Sequence, residues 1–164
     1  MNDEQLQQLS RRIGEQLKKR QATVTAAESC TGGWIAKVFT DISGSSAWFE
    51  RGFVTYSNEA KQQMVGVQDT TLQQHGAVSE QTVREMATGA AKAAAAEYAI
   101  AVSGIAGPEG GTPDKPVGTV WFAIVRPEGR VLAQRQIFAG DRDAVRRQSV
   151  AWALQTLLDE FLIN

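Results

Sequence analysis

The stretch AAESCTGGW, Ala26–Trp34, decides how the rest of the chain is read. It continues the run Thr23-Val24-Thr25 and ends in a serine, a cysteine, a threonine and two glycines. Small and β-branched residues in alternation mark a strand, while GGWIAKVF, Gly32–Phe39, has the period of a helix. Ser29 and Cys30 therefore lie at the carboxyl end of a strand. There a helix N-terminus offers backbone N–H groups and partial positive charge to a phosphate or an oxyanion. The same residues are compatible with a plain glycine turn.

Working outward, Leu6, Leu9, Ile13 and Leu17 recur at helical spacing, so an amphipathic helix precedes the strand. Downstream, DISGSS, Asp41–Ser46, has turn chemistry and doubles as a substrate-facing loop, with Ser46 as the contact. FERGFVTY, Phe49–Tyr56, reads as a strand, and Ser57 or Asn58 caps a helix beginning NEAKQQMV. Tyr56 and Lys61 then flank one strand-to-helix junction. A connector runs to Ala77, and Ser79 caps a long alanine-rich helix, Glu80–Tyr98. AIAVS, Ala99–Ser103, is a short apolar run suited to a strand covered on both faces. The segment that follows, Gly104–Gly118, holds five glycines and three prolines in fifteen residues, so it is an ordered loop or a flap. Val117–Val125 and Val131–Phe138 flank RPEG as an antiparallel hairpin. Asp141 caps a last helix whose first turns carry Arg142, Arg146 and Arg147, against the dipole preference and pointing to an anionic ligand or a solvated surface.

This order predicts an α/β fold: a three-layer α/β/α sandwich around a mixed, mostly parallel sheet, built as one domain over residues 1–164. Ligands in such sheets bind outside the carboxyl ends of the parallel strands, where Ser29, Tyr56 and the loop after Ser103 converge.

Composition narrows the function. Seventeen basic and eighteen acidic residues leave a formal charge of −1 with no block of one sign, which disfavours nucleic acid and anionic membranes as partners. One cysteine excludes an internal disulfide, one histidine argues against Cys/His zinc sites, and the polar N-terminus is unlike a signal peptide or a membrane span. The expectation is a cytoplasmic protein with no metal and no cofactor. A serine needs a base within reach. His75 lies in a connector, whereas a lysine desolvated in a crevice can lose its proton near neutrality, and a tyrosine can relay one. Ser29, Lys61 and Tyr56 thus supply a histidine-free acyl-transfer site, with a thiol enzyme built on Cys30 and His75 as the rival.

The motifs AESCTGG, GFVTYSNEAK, GAVSE, SGIAGPEGG, KPVGTV and GDRDAVR, in this order, closely resemble the nicotinamide mononucleotide deamidases, the family of the C-terminal domain of the competence and damage-inducible protein CinA. The chain looks like the stand-alone form, without the additional N-terminal domain of larger members. The resemblance implies hydrolysis of the carboxamide of nicotinamide mononucleotide to nicotinic acid mononucleotide and ammonia, in pyridine nucleotide recycling. It places the family's serine, tyrosine and lysine on Ser29, Tyr56 and Lys61. Cys30, Thr31, Gly32, Gly33, Ser46, Ser103, Gly104, Arg142 and Arg146 are the expected substrate contacts. A catalytically silent nucleotide-binding paralogue with a regulatory role is the alternative, and a homodimer is a compatible assembly.

Overall fold

Alternating side chains in the central strands sort the apolar residues onto two faces, and that sorting sets the layers. In the computed structural model, which describes residues 1–163, five strands form one sheet: β1 (Val24–Glu28), β2 (Phe53–Val54), β3 (Tyr98–Gly104), β4 (Thr119–Val125) and β5 (Val131–Ile137). Their order is β2-β1-β3-β4-β5. β1 pairs in parallel with β2 and β3, with Glu28 opposite Val54 on one side and Val102 on the other. The pairings of β4 with β3 and with β5 are antiparallel, so β4 alone is reversed in the sheet.

One face presents Val24, Ala26, Ile100, Val102, Val120, Phe122 and Ile124 to helices α1 (Asp3–Arg20), α2 (Trp34–Thr40) and α6 (Arg142–Thr156). The other presents Ala27, Ala99, Ala101, Ala123 and Val125 to α3 (Asn58–Val65), α4 (Asp69–His75) and α5 (Glu80–Ala94). The second face is mostly alanine, and it receives the alanine-rich α5 through Val83, Met86, Ala87 and Ala90, all fully buried. Small residues on both sides bring helix and sheet close together. Gly89 extends this to the neighbouring helix, because a Cβ there would overlap the carbonyl of Val65 at the end of α3.

The helix ends follow the local sequence. Asn2 and Gln5 form a capping box on α1, and the side chains of Ser57, Ser79 and Asp141 accept N–H groups of α3, α5 and α6. Leu6, Leu9, Ile13 and Leu17 are all buried, as their spacing requires. The chain continues past α6 in a π-helical segment, Leu157–Leu162, that keeps Leu157, Leu158 and Leu162 in the core.

Three segments depart from the sequence reading. The strand expected over Phe49–Tyr56 shrinks to Phe53–Val54, because Trp48 and Phe49 turn into the core against Phe39 instead. The connector before Ala77 contains α4, whose only buried residues are Thr71 and Leu72, too few to show a period. The alanine-rich helix stops at Ala94, and Tyr98 opens β3. The glycine- and proline-rich loop is fixed at both ends: Gly118 N–H donates to Ile105 O at 2.7 Å and Ile105 N–H to Thr119 O at 2.9 Å. Gly118 has φ +96°, and a Cβ there would overlap the Phe138 backbone. No helix is long and apolar enough to cross a membrane among the described residues.

Candidate active site

The carboxyl ends of β1 and β3, the β2–α3 junction and the start of α6 enclose a pocket of about 270 Å³. Ser29 and Cys30 come from the turn that follows β1, Tyr56, Asn58 and Lys61 from the junction, Ser103 and Gly104 from β3, and Arg142 from α6. Ala77 and Val78, just before α5, close one side.

Lys61 is the unusual member. Ser57 Oγ accepts the Ala60 N–H at 3.0 Å, which starts α3 and turns Lys61, one turn on, into the interior. The side chain is only 1% exposed. Its Nζ donates to Thr55 O at 3.0 Å and lies 3.1 Å from Ser29 Oγ. Among the described residues no carboxylate lies within ion-pair distance of it. Burial therefore pushes the Lys61 pKa below the ordinary lysine value. As the neutral amine it keeps its bond to Thr55 and has a lone pair to accept the Ser29 hydroxyl proton. Ser29 itself is held by its N–H, which donates to Val102 O at 3.0 Å, and its carbonyl accepts the Gly32 N–H.

Tyr56 sits on the rim, 60% exposed. Its hydroxyl accepts a hydrogen bond from Arg142 Nη2 at 3.0 Å, while Arg142 Nη1 donates to Gly107 O at 2.9 Å. Arg142 thereby joins the glycine- and proline-rich loop to the junction. Arg146 donates to Cys30 O and Thr31 O at 3.0 and 3.3 Å, and Arg147 to Asp3 at 2.7 Å. The cations that opposed the α6 dipole serve as tethers to four distant segments.

The helix N-terminus differs from the expectation of an anion cradle. Glu28, 1% exposed, turns its carboxylate onto α2 and accepts from Thr31 Oγ1 at 2.6 Å, Ile35 N–H at 2.8 Å and Ala36 N–H at 3.0 Å. The Thr31 hydroxyl and the Ile35 and Ala36 N–H groups at the helix start are thus taken by the chain's own acid. Burial raises the Glu28 pKa, opposed by the hydrogen bonds from Thr31 and the α2 backbone. Thr31, Gly32, Gly33 and Arg146 accordingly line a separate cavity of about 430 Å³ beside Trp34, and Ser46 lies exposed on the short helical turn Ser45–Ala47. None of these five lines the pocket that holds Ser29 and Lys61.

Cys30 faces that pocket but is buried, and desolvation pushes its thiol up to about 12. His75 is exposed at the end of α4, where its carbonyl accepts from Lys115 Nζ, and it does not line the pocket. Burial thus keeps the Cys30 thiol protonated at working pH and leaves little thiolate to attack. Cys30→Ala is expected to keep most of the turnover, and iodoacetamide to modify native Cys30 far more slowly than the unfolded chain, read by intact mass against activity. Rapid alkylation with parallel inactivation would reinstate the thiol.

Residues 6–161 match the CinA C-terminal domain, and the chain belongs to that family. It is 66% identical to the nicotinamide-nucleotide amidohydrolase PncC of Escherichia coli strain K12 over 164 residues, which is all of this chain and 99% of that one. A second relative, the protein of the same name from Pseudomonas putida, is 54% identical over 92% of this chain and 93% of its own. Among solved structures, the competence/damage inducible protein CihA of Agrobacterium tumefaciens superposes with a TM-score of 0.92 at 45% identity, covering 96% of this chain and 95% of that one.

Proposed function

We propose that this protein hydrolyses the carboxamide of nicotinamide mononucleotide to nicotinic acid mononucleotide and ammonia, a step of pyridine nucleotide recycling. The observation that carries the reaction type is Lys61 Nζ, buried without an ionic partner among the described residues, 3.1 Å from Ser29 Oγ. The name of the full-length relatives, nicotinamide-nucleotide amidohydrolase, supports the substrate.

Neutral Lys61 takes the proton of Ser29 as Oγ attacks the carboxamide carbon. The resulting oxyanion is met by the N–H of Cys30, which lines the pocket and donates to no other residue among the described residues. The Lys61 ammonium then returns its proton to the leaving nitrogen, the C–N bond breaks, and ammonia departs. Water, deprotonated by the same amine, attacks the acyl-serine carbonyl, and the Lys61 ammonium returns that proton to Ser29 Oγ as the ester C–O bond breaks and nicotinic acid mononucleotide is released. Tyr56 and Arg142 form the outer wall, where the mononucleotide phosphate meets the guanidinium.

The direct test is ammonia release from the mononucleotide by the purified protein. Binding without release would identify a silent nucleotide-binding paralogue. For the phosphate contact, Arg142→Ala is expected to weaken the mononucleotide by about tenfold to a hundredfold while leaving the riboside within about threefold. Calorimetric titration of both ligands checks this, and equal losses would move the phosphate elsewhere.

A further inference from the structure

We infer that Glu28 is the positioning residue of the reaction, holding Ser29 and Lys61 in register through its side chain and its main-chain carbonyl together. The inference rests on the Ser29–Lys61 reading given above. Two separate sets of bonds leave this one residue. Its carboxylate ties the turn that follows Ser29 to the first turn of α2, through the Thr31 hydroxyl and the N–H groups of Ile35 and Ala36. Its carbonyl accepts the Thr55 N–H at 2.7 Å and the Thr55 hydroxyl at 3.2 Å. The Thr55 carbonyl in turn receives Lys61 Nζ at 3.0 Å. The nucleophile and the base, 32 residues apart, are thus fixed to one point at the end of β1.

The chemistry of the arrangement favours a positional role over a generic cap. A helix N-terminus is ordinarily satisfied by a short polar side chain at the N-cap, exposed and without desolvation cost. Here the N-cap is Gly33, with no side chain to contribute, and a glutamate from the strand is buried in its place at the cost that burying a carboxylate carries. What the glutamate adds is reach. It spans the whole Ser29–Gly33 turn, so the turn has a defined height above the sheet, and Ser29 Oγ stands opposite an amine whose own height is set by the same residue.

The experiment compares wild type, Glu28→Gln, Thr31→Val, Thr31→Ser and Ser29→Ala for kcat and KM on nicotinamide mononucleotide, for the rate at which a fluorophosphonate phosphonylates Ser29 with loss of fluoride, and for melting temperature. Glutamine keeps the shape but presents an NH₂ where an N–H must be accepted. Misplacing the nucleophile by a fraction of an ångström is expected to lower kcat about a hundredfold in Glu28→Gln, with KM within about threefold and labelling slowed in parallel. Thr31→Val, which removes the shortest bond and leaves the carboxylate, is expected to lose about tenfold in kcat, with Thr31→Ser restoring it. A folded Glu28→Gln with wild-type kcat and labelling overturns the proposal, as does a variant whose only change is a lower melting temperature. If Glu28→Gln does not fold, the Thr31 pair decides in the same way: equal kcat for valine and serine overturns it. Ser29→Ala separates the two layers, since an active Ser29→Ala removes the dyad and this inference with it, whereas an inactive Ser29→Ala beside a fully active Glu28→Gln removes the inference alone.

Discussion

Ser29→Ala is expected to lower kcat/KM for nicotinamide mononucleotide by about four orders of magnitude or more. In the mechanism proposed above the hydroxyl forms the acyl intermediate, and without it the amine of Lys61 has only water to activate, on a carbon placed for attack by a side chain that is gone. Binding is a different matter. Ser29 is 8% exposed and contributes one small atom to a wall built from five segments, so the dissociation constant of the mononucleotide should change by no more than a few-fold. The melting temperature should also stay close to that of wild type, because the Ser29 N–H and carbonyl bonds do not involve Oγ. Coupled ammonia assays, calorimetry and a thermal melt on the same preparation check all three. Retained turnover in Ser29→Ala together with loss in Cys30→Ser would transfer the nucleophile to the neighbouring thiol.

Lys61→Arg should be nearly as damaging, about a thousandfold in kcat/KM, because a guanidinium stays protonated at every working pH and cannot act as base. The wild-type profile follows from the direction of the shift. Burial lowers the Lys61 pKa, and with the neutral amine as the proposed base kcat/KM is expected to rise with pH through that lowered value and level above it. The residual activity of Lys61→Arg should lack this rise. Tyr56→Phe should cost less than Lys61→Ala, since the Tyr56 hydroxyl is engaged by Arg142 at the rim rather than by Ser29. Each tenfold loss corresponds to roughly 1.4 kcal/mol of transition-state stabilisation. A Lys61→Arg enzyme with near-wild-type rate and an unmoved profile would leave Lys61 as a fixed positive charge that orients Ser29.

Much of the fold is written in local signals. Four apolar residues at helical spacing gave α1, and Ser57, Ser79 and Asp141 marked the starts of α3, α5 and α6 because a cap is a contact made within three residues. The pairing of Ser29 with Lys61 was legible for a chemical reason: with a single histidine outside the turn motif, few other bases were at hand. What the sequence hid depends on partners far along the chain. Phe49 reads as strand until Phe39 is seen to receive it, with Trp48 packed beside it against Phe39 and Gly14. Glu28 reads as an ordinary charged strand residue, since nothing in its neighbourhood reveals that both faces of β1 are covered. Arg146 pointed to an anion because a cation at a helix start lacks a local reason, and its actual acceptors are carbonyls 115 and 116 residues earlier.

The arginines of α6 also bear on the order of assembly. Arg142 reaches back 86 residues to Tyr56, and Arg146 reaches back 116 to Cys30. On a ribosome, where segments emerge from the N-terminus at several residues per second, β1 to β3 and their helices are available well before these tethers are. The Ser29–Lys61 contact needs only the earlier segments, whereas the rim and the clamp on the Cys30–Thr31 carbonyls wait for the last helix to dock. A nascent chain can therefore hold its reactive pair long before it holds a closed binding wall, so competence to turn over substrate reports that synthesis has run through α6.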